Sequence, residues 1–309
     1  SLIAMPDNNF EPRFDDPRVG YFTTRVNDMT TSEALNYRDL VHRWNLVKKD
    51  STLALSEPVE PLVYWIENTT PIALRDLIKE GVESWSLDFE SAGFKNAVQV
   101  KVQPDTALWD AGDLRYNVLR WTSSPNPPFG GYGPSFVNPR TGQILGADIM
   151  LEWIYITKRI QQGELFEHTS LFLDEENPMD EHYCSASALM QSNNLFAHSA
   201  VDAMELSQAS KETLIRESLR RLVLHEVGHT LGLNHNFKGS NLLTYEEILN
   251  KDTTYEKGLC SSVMEYPSIN FSLEAENQGL YYDTIPGPYD HWAIRFAYSQ
   301  VDDEGLNAI

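Results

Sequence analysis

The sequence predicts an α+β fold: one mixed, twisted sheet with a backing helix, a second long helix rich in histidine, and an irregular C-terminal part ending in a last helix. Three observations predict it. Strand-length apolar runs recur between residues 61 and 151 with one long helical segment among them. A turn-flanked pair of short runs near residue 140 reads as a hairpin. Apolar residues at helical spacing then return beyond residue 210.

Residues 1–35 read as an irregular acidic arm with turn residues Pro6, Asp7, Pro17 and Gly20. Pro61–Glu67 is an almost unbroken apolar run, which suits a strand covered on both faces. Thr70 and Pro71 fit an N-cap and first helical residue. Leu74, Leu77, Ile78, Val82, Trp85 and Phe89 follow at helical spacing, and Gly93 ends that helix. Val98, Val100 and Val102 alternate with Gln99 and Lys101 as a half-exposed strand, and Leu114–Trp121 supplies a third. Residues 125–133 are loop by composition, and Ser135–Val137 with Ile144–Leu151 flank the turn Asn138–Gly142. Residues 155–206 are polar and receive no assignment. The second long helix starts near Ser210, draws its apolar side from Leu214, Ile215, Leu219, Leu222 and Val223, and stops at Gly232. One more helical stretch covers Asp290–Tyr298. The expected organisation is an arm over 1–60, an upper part over 61–235 and a lower part over 236–309.

Charge and composition narrow the function. The 309 residues hold 24 Lys+Arg against 45 Asp+Glu, a net −21, which excludes nucleic acid as the expected partner because phosphate binding needs clustered cations. No run approaches the ~18 apolar residues of a membrane span. No basic n-region precedes an apolar core, so no signal peptide is read, and a chain opening on Ser1 reads as a processed or excised piece. The two cysteines, Cys184 and Cys260, exclude a disulfide-scaffolded mini-protein.

The chemistry sits in His225-Glu226-Val227-Gly228-His229, followed by Gly232 and His235. His225 and His229 are four apart, so both imidazoles leave one helical face a turn apart, as two ligands of one tetrahedral zinc require. Glu226 lies about 100° round the helix and can reach a water on the metal without ligating it. Gly232 permits a positive φ that ends the helix and swings His235 back as third ligand. Three protein ligands leave one position open, the arrangement of a catalytic ion. Requiring the glycine and third histidine lowers a chance match from roughly once in sixty such chains to on the order of once in forty thousand, so the spacing is read as a site.

The same residues form HExxHxxGxxH, and Ser261–Pro267 with Met264 follows as a candidate Met-turn; together they resemble the metzincin metalloproteases. The resemblance implies a metzincin-like zincin catalytic domain with Met264 as an apolar floor beneath the ligands. It also implies that Tyr266, two residues on, ligates zinc at rest or hydrogen-bonds the oxyanion. Further stretches resemble a family of exported bacterial zinc-dependent metalloproteases, with an enterotoxin-type catalytic chain as a relative. These are Arg43–Leu46, Leu55–Thr69, Trp109–Pro125, Gly130–Glu152, His225–Phe237 and Tyr289–Ser299. The chain departs from serralysins at Asn236, where they place Pro, and in lacking RTX-type repeats; no cysteine-switch motif precedes the domain.

The resulting expectation is a zinc-dependent endopeptidase with one catalytic Zn2+, a zinc-activated water, and Glu226 as general base and then acid. The peptide or protein substrate is expected to lie extended along the edge strand near Ser135–Val137, and export is implied by the resemblance alone. A catalytically silent zinc-binding domain and a zinc hydrolase of non-peptide amides or esters are the alternatives. Activity should fall below about pH 6, since ligating histidines must be neutral. His42, His168, His182, His198 and His291 show no ligand spacing and read as surface or structural. Asp110, Asp113 and Asp148 could join a Ca2+ site, but turn capping and solvated carboxylates are their expected roles. Asp290 is expected to cap the last helix, and the resemblance adds a role in anchoring an N-terminal segment. Cys184 and Cys260 are free or paired with even weight.

Overall fold

The structure, a computed structural model, describes residues 4–27, 29–30, 32, 38–124, 131–152, 186–205, 207–301 and 303–309. The N-terminal arm is mostly irregular, but β1 (Thr23–Thr24) pairs antiparallel with β2 (Leu40–Val41). Val19, Tyr21, Val41, Trp44 and Leu46 of this arm are buried in the same apolar cluster as the sheet and the long helices.

β3 (Leu62–Ile66) lies where the apolar run predicts it. Leu62, Tyr64 and Ile66 are fully buried, whereas Val63 and Trp65 are half-buried. The second face is covered by aromatic rings instead of a full layer: Trp109 and Tyr116 stack at 3.9 Å, and both meet Trp65 edge-on. α1 (Ile72–Glu83) begins one residue later than expected. Pro71 has ψ 131°, an extended value, so it caps the helix, and Thr70 belongs to the preceding turn. The predicted single helix is also broken, because α1 stops at Glu83 and α2 covers Ser86–Ser91. Ser84 donates its hydroxyl back to the Glu80 carbonyl at 2.6 Å, a contact that bends helices. Trp85, fully buried at the break, sends its indole N–H to Leu224.

β4 (Val98–Val102), β5 (Asn117–Thr122), β6 (Gly131–Tyr132), β7 (Ser135–Val137) and β8 (Ile144–Glu152) complete the sheet. β5 starts later than the expected Leu114, since Tyr116 N–H closes a turn onto Asp113. The order is β4-β3-β5-β8-β6, parallel from β4 to β8; β6 and β7 both run antiparallel to β8. The hairpin between β7 and β8 is therefore present, with an irregularity at Phe136/Val137.

α3 (Ala186–Ala203) lies in the stretch left unassigned from sequence. His168, His182 and Cys184 fall outside the described residues, as does any pairing of Cys184 with Cys260. α4 (Gln208–Thr230) is the predicted second long helix; Ser207 caps it by accepting from Ser210 N–H. Its residue Val223 packs on Gly81 of α1, where a Cβ would sit 2.9 Å from a Val223 methyl. The glycine is thus the condition for close approach of the backing helix. Short helices α5 (Tyr245–Ile248) and α6 (Lys251–Lys257) lead into an irregular segment, and α7 (Pro288–Tyr298) and α8 (Asp303–Ala308) end the chain. Among the described residues no helix is long and apolar enough to cross a membrane.

Candidate metal centre

α4 carries His225, Glu226 and His229 in its last turns, all buried. The helix ends at Gly232, whose φ is +99°. A Cβ there would be 2.0 Å from the His42 carbonyl oxygen, so the position needs glycine for conformation and for space. The chain then turns His235 towards the other two. The three rings converge: centroids lie 4.7 Å apart for His225–His229 and for His229–His235, and 5.4 Å for His225–His235. One ligand atom from each lies within 4.8 Å of the others.

Two of the rings are oriented from behind. His225 Nδ1 is 2.7 Å from the Val263 carbonyl, and His229 Nδ1 is 2.9 Å from the Leu233 carbonyl. A carbonyl only accepts, so Nδ1 carries the proton and Nε2 keeps its lone pair for a metal. Burial holds the His225 imidazole well below its ordinary pKa and lowers that of His235 to about 4. Two rings with Nδ1 turned to carbonyls, and burial opposing protonation of His225 and His235, make a three-imidazole set that fits a zinc ion.

Glu226 is fully buried against β6. A Cβ on Gly131 would lie 2.7 Å from Glu226 Oε1, and one on Gly133 2.5 Å from the Glu226 carbonyl oxygen. The strand segment beside Glu226 is therefore Gly131–Tyr132, with Ser135–Val137 further along β8. Tyr266 reaches the centre as its position suggests, its hydroxyl 2.8 Å from His235 Nε2.

Met264 is fully buried beneath α4. A Cβ on Gly228 would be 2.4 Å from its sulfur, so the methionine occupies the space left by that glycine. Asp290, buried in the first turn of α7, fixes this turn. Its carboxylate accepts from Ser262 Oγ and Val263 N–H at 2.7 Å each and from Gly287 N–H at 2.8 Å. From the other side the buried Arg221 donates to the carbonyls of Val263 and Glu265. Asp290 thus caps α7, the helix expected from sequence to be the last although α8 follows it, and also grips the Met264 turn. The arm is anchored by its neighbours instead: the Tyr289 hydroxyl accepts from Gly20 N–H, and the Ala293 carbonyl accepts from Tyr21 OH.

Residues 207–308 match a family model described as Met-zincin. This stretch belongs to the metzincin clan. Residues 1–49 match a second family model, described as a domain of unknown function (DUF5117). No curated protein and no solved structure matches the chain.

The metzincin stretch contains every metal-site residue expected from sequence: His225, Glu226, His229, Gly232, His235, Met264 and Tyr266. Two of the other described histidines, His42 and His291, serve elsewhere, and His198 lies in α3. His42 Nε2 is 3.0 Å from Thr24 Oγ1, and His291 pairs with buried Asp88 at 2.7 Å. Asp110 accepts from Gly112 N–H and Asp113 from Arg115, so each closes its own turn, while Asp148 lies within β8. Sequence reasoning missed Arg221, one turn before His225, and Trp44, whose indole N–H donates to the Thr230 carbonyl at 2.8 Å. The first stands as a charge among the apolar residues Leu219, Leu222 and Val223, which by itself does not disclose its partners. Nothing local marked the second.

Proposed function

We propose that the chain is a zinc-dependent endopeptidase, and the observation that carries this is the convergence of His225, His229 and His235 beside a buried Glu226. A zinc ion held by these three imidazoles would supply Lewis acidity, enough to acidify a water near neutral pH and polarise a carbonyl. Glu226 takes the proton of the attacking water on its carboxylate and hands it to the leaving amine nitrogen. The Tyr266 phenol donates a hydrogen bond to the oxygen that gains charge in the tetrahedral state. Met264 gives the histidines an apolar floor. The substrate lies extended along β6, adding main-chain hydrogen bonds at the glycine-lined edge next to Glu226. In this reading residues 61–235 form the upper wall of the cleft, with sheet, backing helix and active-site helix. Residues 236–309 form the lower wall, with the Met-turn and the last helix.

The test is hydrolysis of denatured casein or gelatin, which a chelator should abolish and zinc restore. Glu226→Ala should bind one zinc per chain and lose at least two to four orders of magnitude in kcat. Wild-type rates in that variant would remove Glu226 from the chemistry. Cleavage confined to small esters or acetyl-lysine amides would replace the peptidase with another zinc hydrolase.

A further inference from the structure

We propose that the N-terminal segment through Phe22 is a positioning element of the metal centre, setting the second and third histidines although it supplies no ligand. This rests on the metal-centre reading above. The bend between those histidines, Gly232–Asn234, is held along its length by the arm. Phe22 N–H donates to the Gly232 carbonyl at 2.8 Å, Asn234 N–H donates to the Gly20 carbonyl at 3.0 Å, and Tyr21 bridges Leu233 antiparallel between them. Leu233 is also the residue whose carbonyl orients His229. One peptide unit therefore links the arm to the second histidine and, two residues on, to the third.

Side-chain packing repeats the connection. The Phe22 ring sits 5.5 Å from the His229 ring and 6.5 Å from that of His42. The His42 carbonyl occupies the space opposite Gly232. The last carbonyls of α4 are capped from outside the helix, Thr230 by the Trp44 indole and Leu231 by the Tyr298 hydroxyl. The arm's far side is fastened to α7 through Tyr21 and Gly20, and α7 holds the Met264 turn through Asp290. The Val263 carbonyl of that turn orients His225. The segment matched only to a domain of unknown function thus belongs to one ring of contacts around the three histidines.

Outer contacts of this kind set ligand orientation, and their loss typically weakens metal binding by roughly ten- to a hundredfold. The experiment uses the full chain and three variants: Phe22→Ala, Phe22→Leu and Phe22→Tyr. Zn2+ affinity is read by competition with a chromophoric chelator, and site geometry by the visible absorption of the Co2+-loaded protein. Thermal unfolding of the metal-free proteins is the control. Phe22→Ala should bind Zn2+ at least about tenfold more weakly and shift the Co2+ bands. Phe22→Leu should fall between, with unfolding close to wild type, and Phe22→Tyr should restore both readouts. If the alanine protein does not fold, the leucine protein carries the test. Wild-type Zn2+ affinity and Co2+ spectrum in folded Ala and Leu proteins would overturn the proposal. Failure of the wild-type chain to bind Zn2+ would instead overturn the metal-centre reading on which it rests.

Discussion

Gly228 fills one of the two positions that the signature HExxH leaves open, and the structure closes it. An added methyl would meet the Met264 sulfur at 2.4 Å and Trp85 at 3.1 Å, both fully buried. Replacing a mid-helix glycine by alanine ordinarily stabilises by about 1 kcal/mol, whereas overpacking a core costs about 1–3 kcal/mol. With no slack around Met264 the second term wins. Gly228→Ala should lower the thermal midpoint and weaken zinc binding together, measured by unfolding and chelator competition; a more stable variant would contradict this packing. His225, Glu226, His229 and His235 were legible because helical spacing fixes side-chain direction. Gly228 and Arg221 were not, since their reasons lie on partners tens of residues away.

At the scale of elements, α7 and the Met264 turn behave as one piece. Removing the Asp290 carboxylate would leave Ser262 Oγ, Val263 N–H and Gly287 N–H buried without their acceptor. Each such group costs ~1–3 kcal/mol, so Asp290→Ala should destabilise by about 3 kcal/mol or more in denaturant unfolding, with Asp290→Asn losing less. A loss under about 1 kcal/mol would mean that Arg221 alone holds the turn. The sheet strands, the long helices and the hairpin followed from periodicity. What periodicity could not convey was interruption: the apolar pattern runs unbroken from Leu74 to Phe89, yet the backbone steps aside at Ser84 to bury Trp85 under α4. It could not show either that the glycines of residues 131–133, read as a loop, pack against Glu226.

For the molecule as a whole, buried acids and buried histidines pull stability in opposite directions with pH. Burial lifts Glu217 and Asp290 to about 7 and Asp148 to about 6, against ~3.9–4.3 in an unfolded chain. The folded state then holds protons that the unfolded chain has released, so this contribution is lost as pH rises through 6–7. His225 and His235 act oppositely, because the unfolded chain protonates them near ~6.5 and the folded one resists, until about 4 for His235. Three acids outnumber two imidazoles, and the net −21 adds self-repulsion as pH rises. The metal-free protein should therefore melt several degrees higher at pH 5.5 than at 7.5, and a midpoint rising steadily over that range would reverse the assignment. The same burial moves proton competition for the ligands below the pH 6 expected from sequence, towards 4 for His235. Finally, Tyr298 closes the end of α4 and Asp290 secures the turn behind His225, so both fasteners reach the histidines from near the end of the described chain. A ribosome delivers the three ligands well before it delivers what locks them. A growing chain consequently carries three histidines whose rear supports are incomplete until α7 has docked.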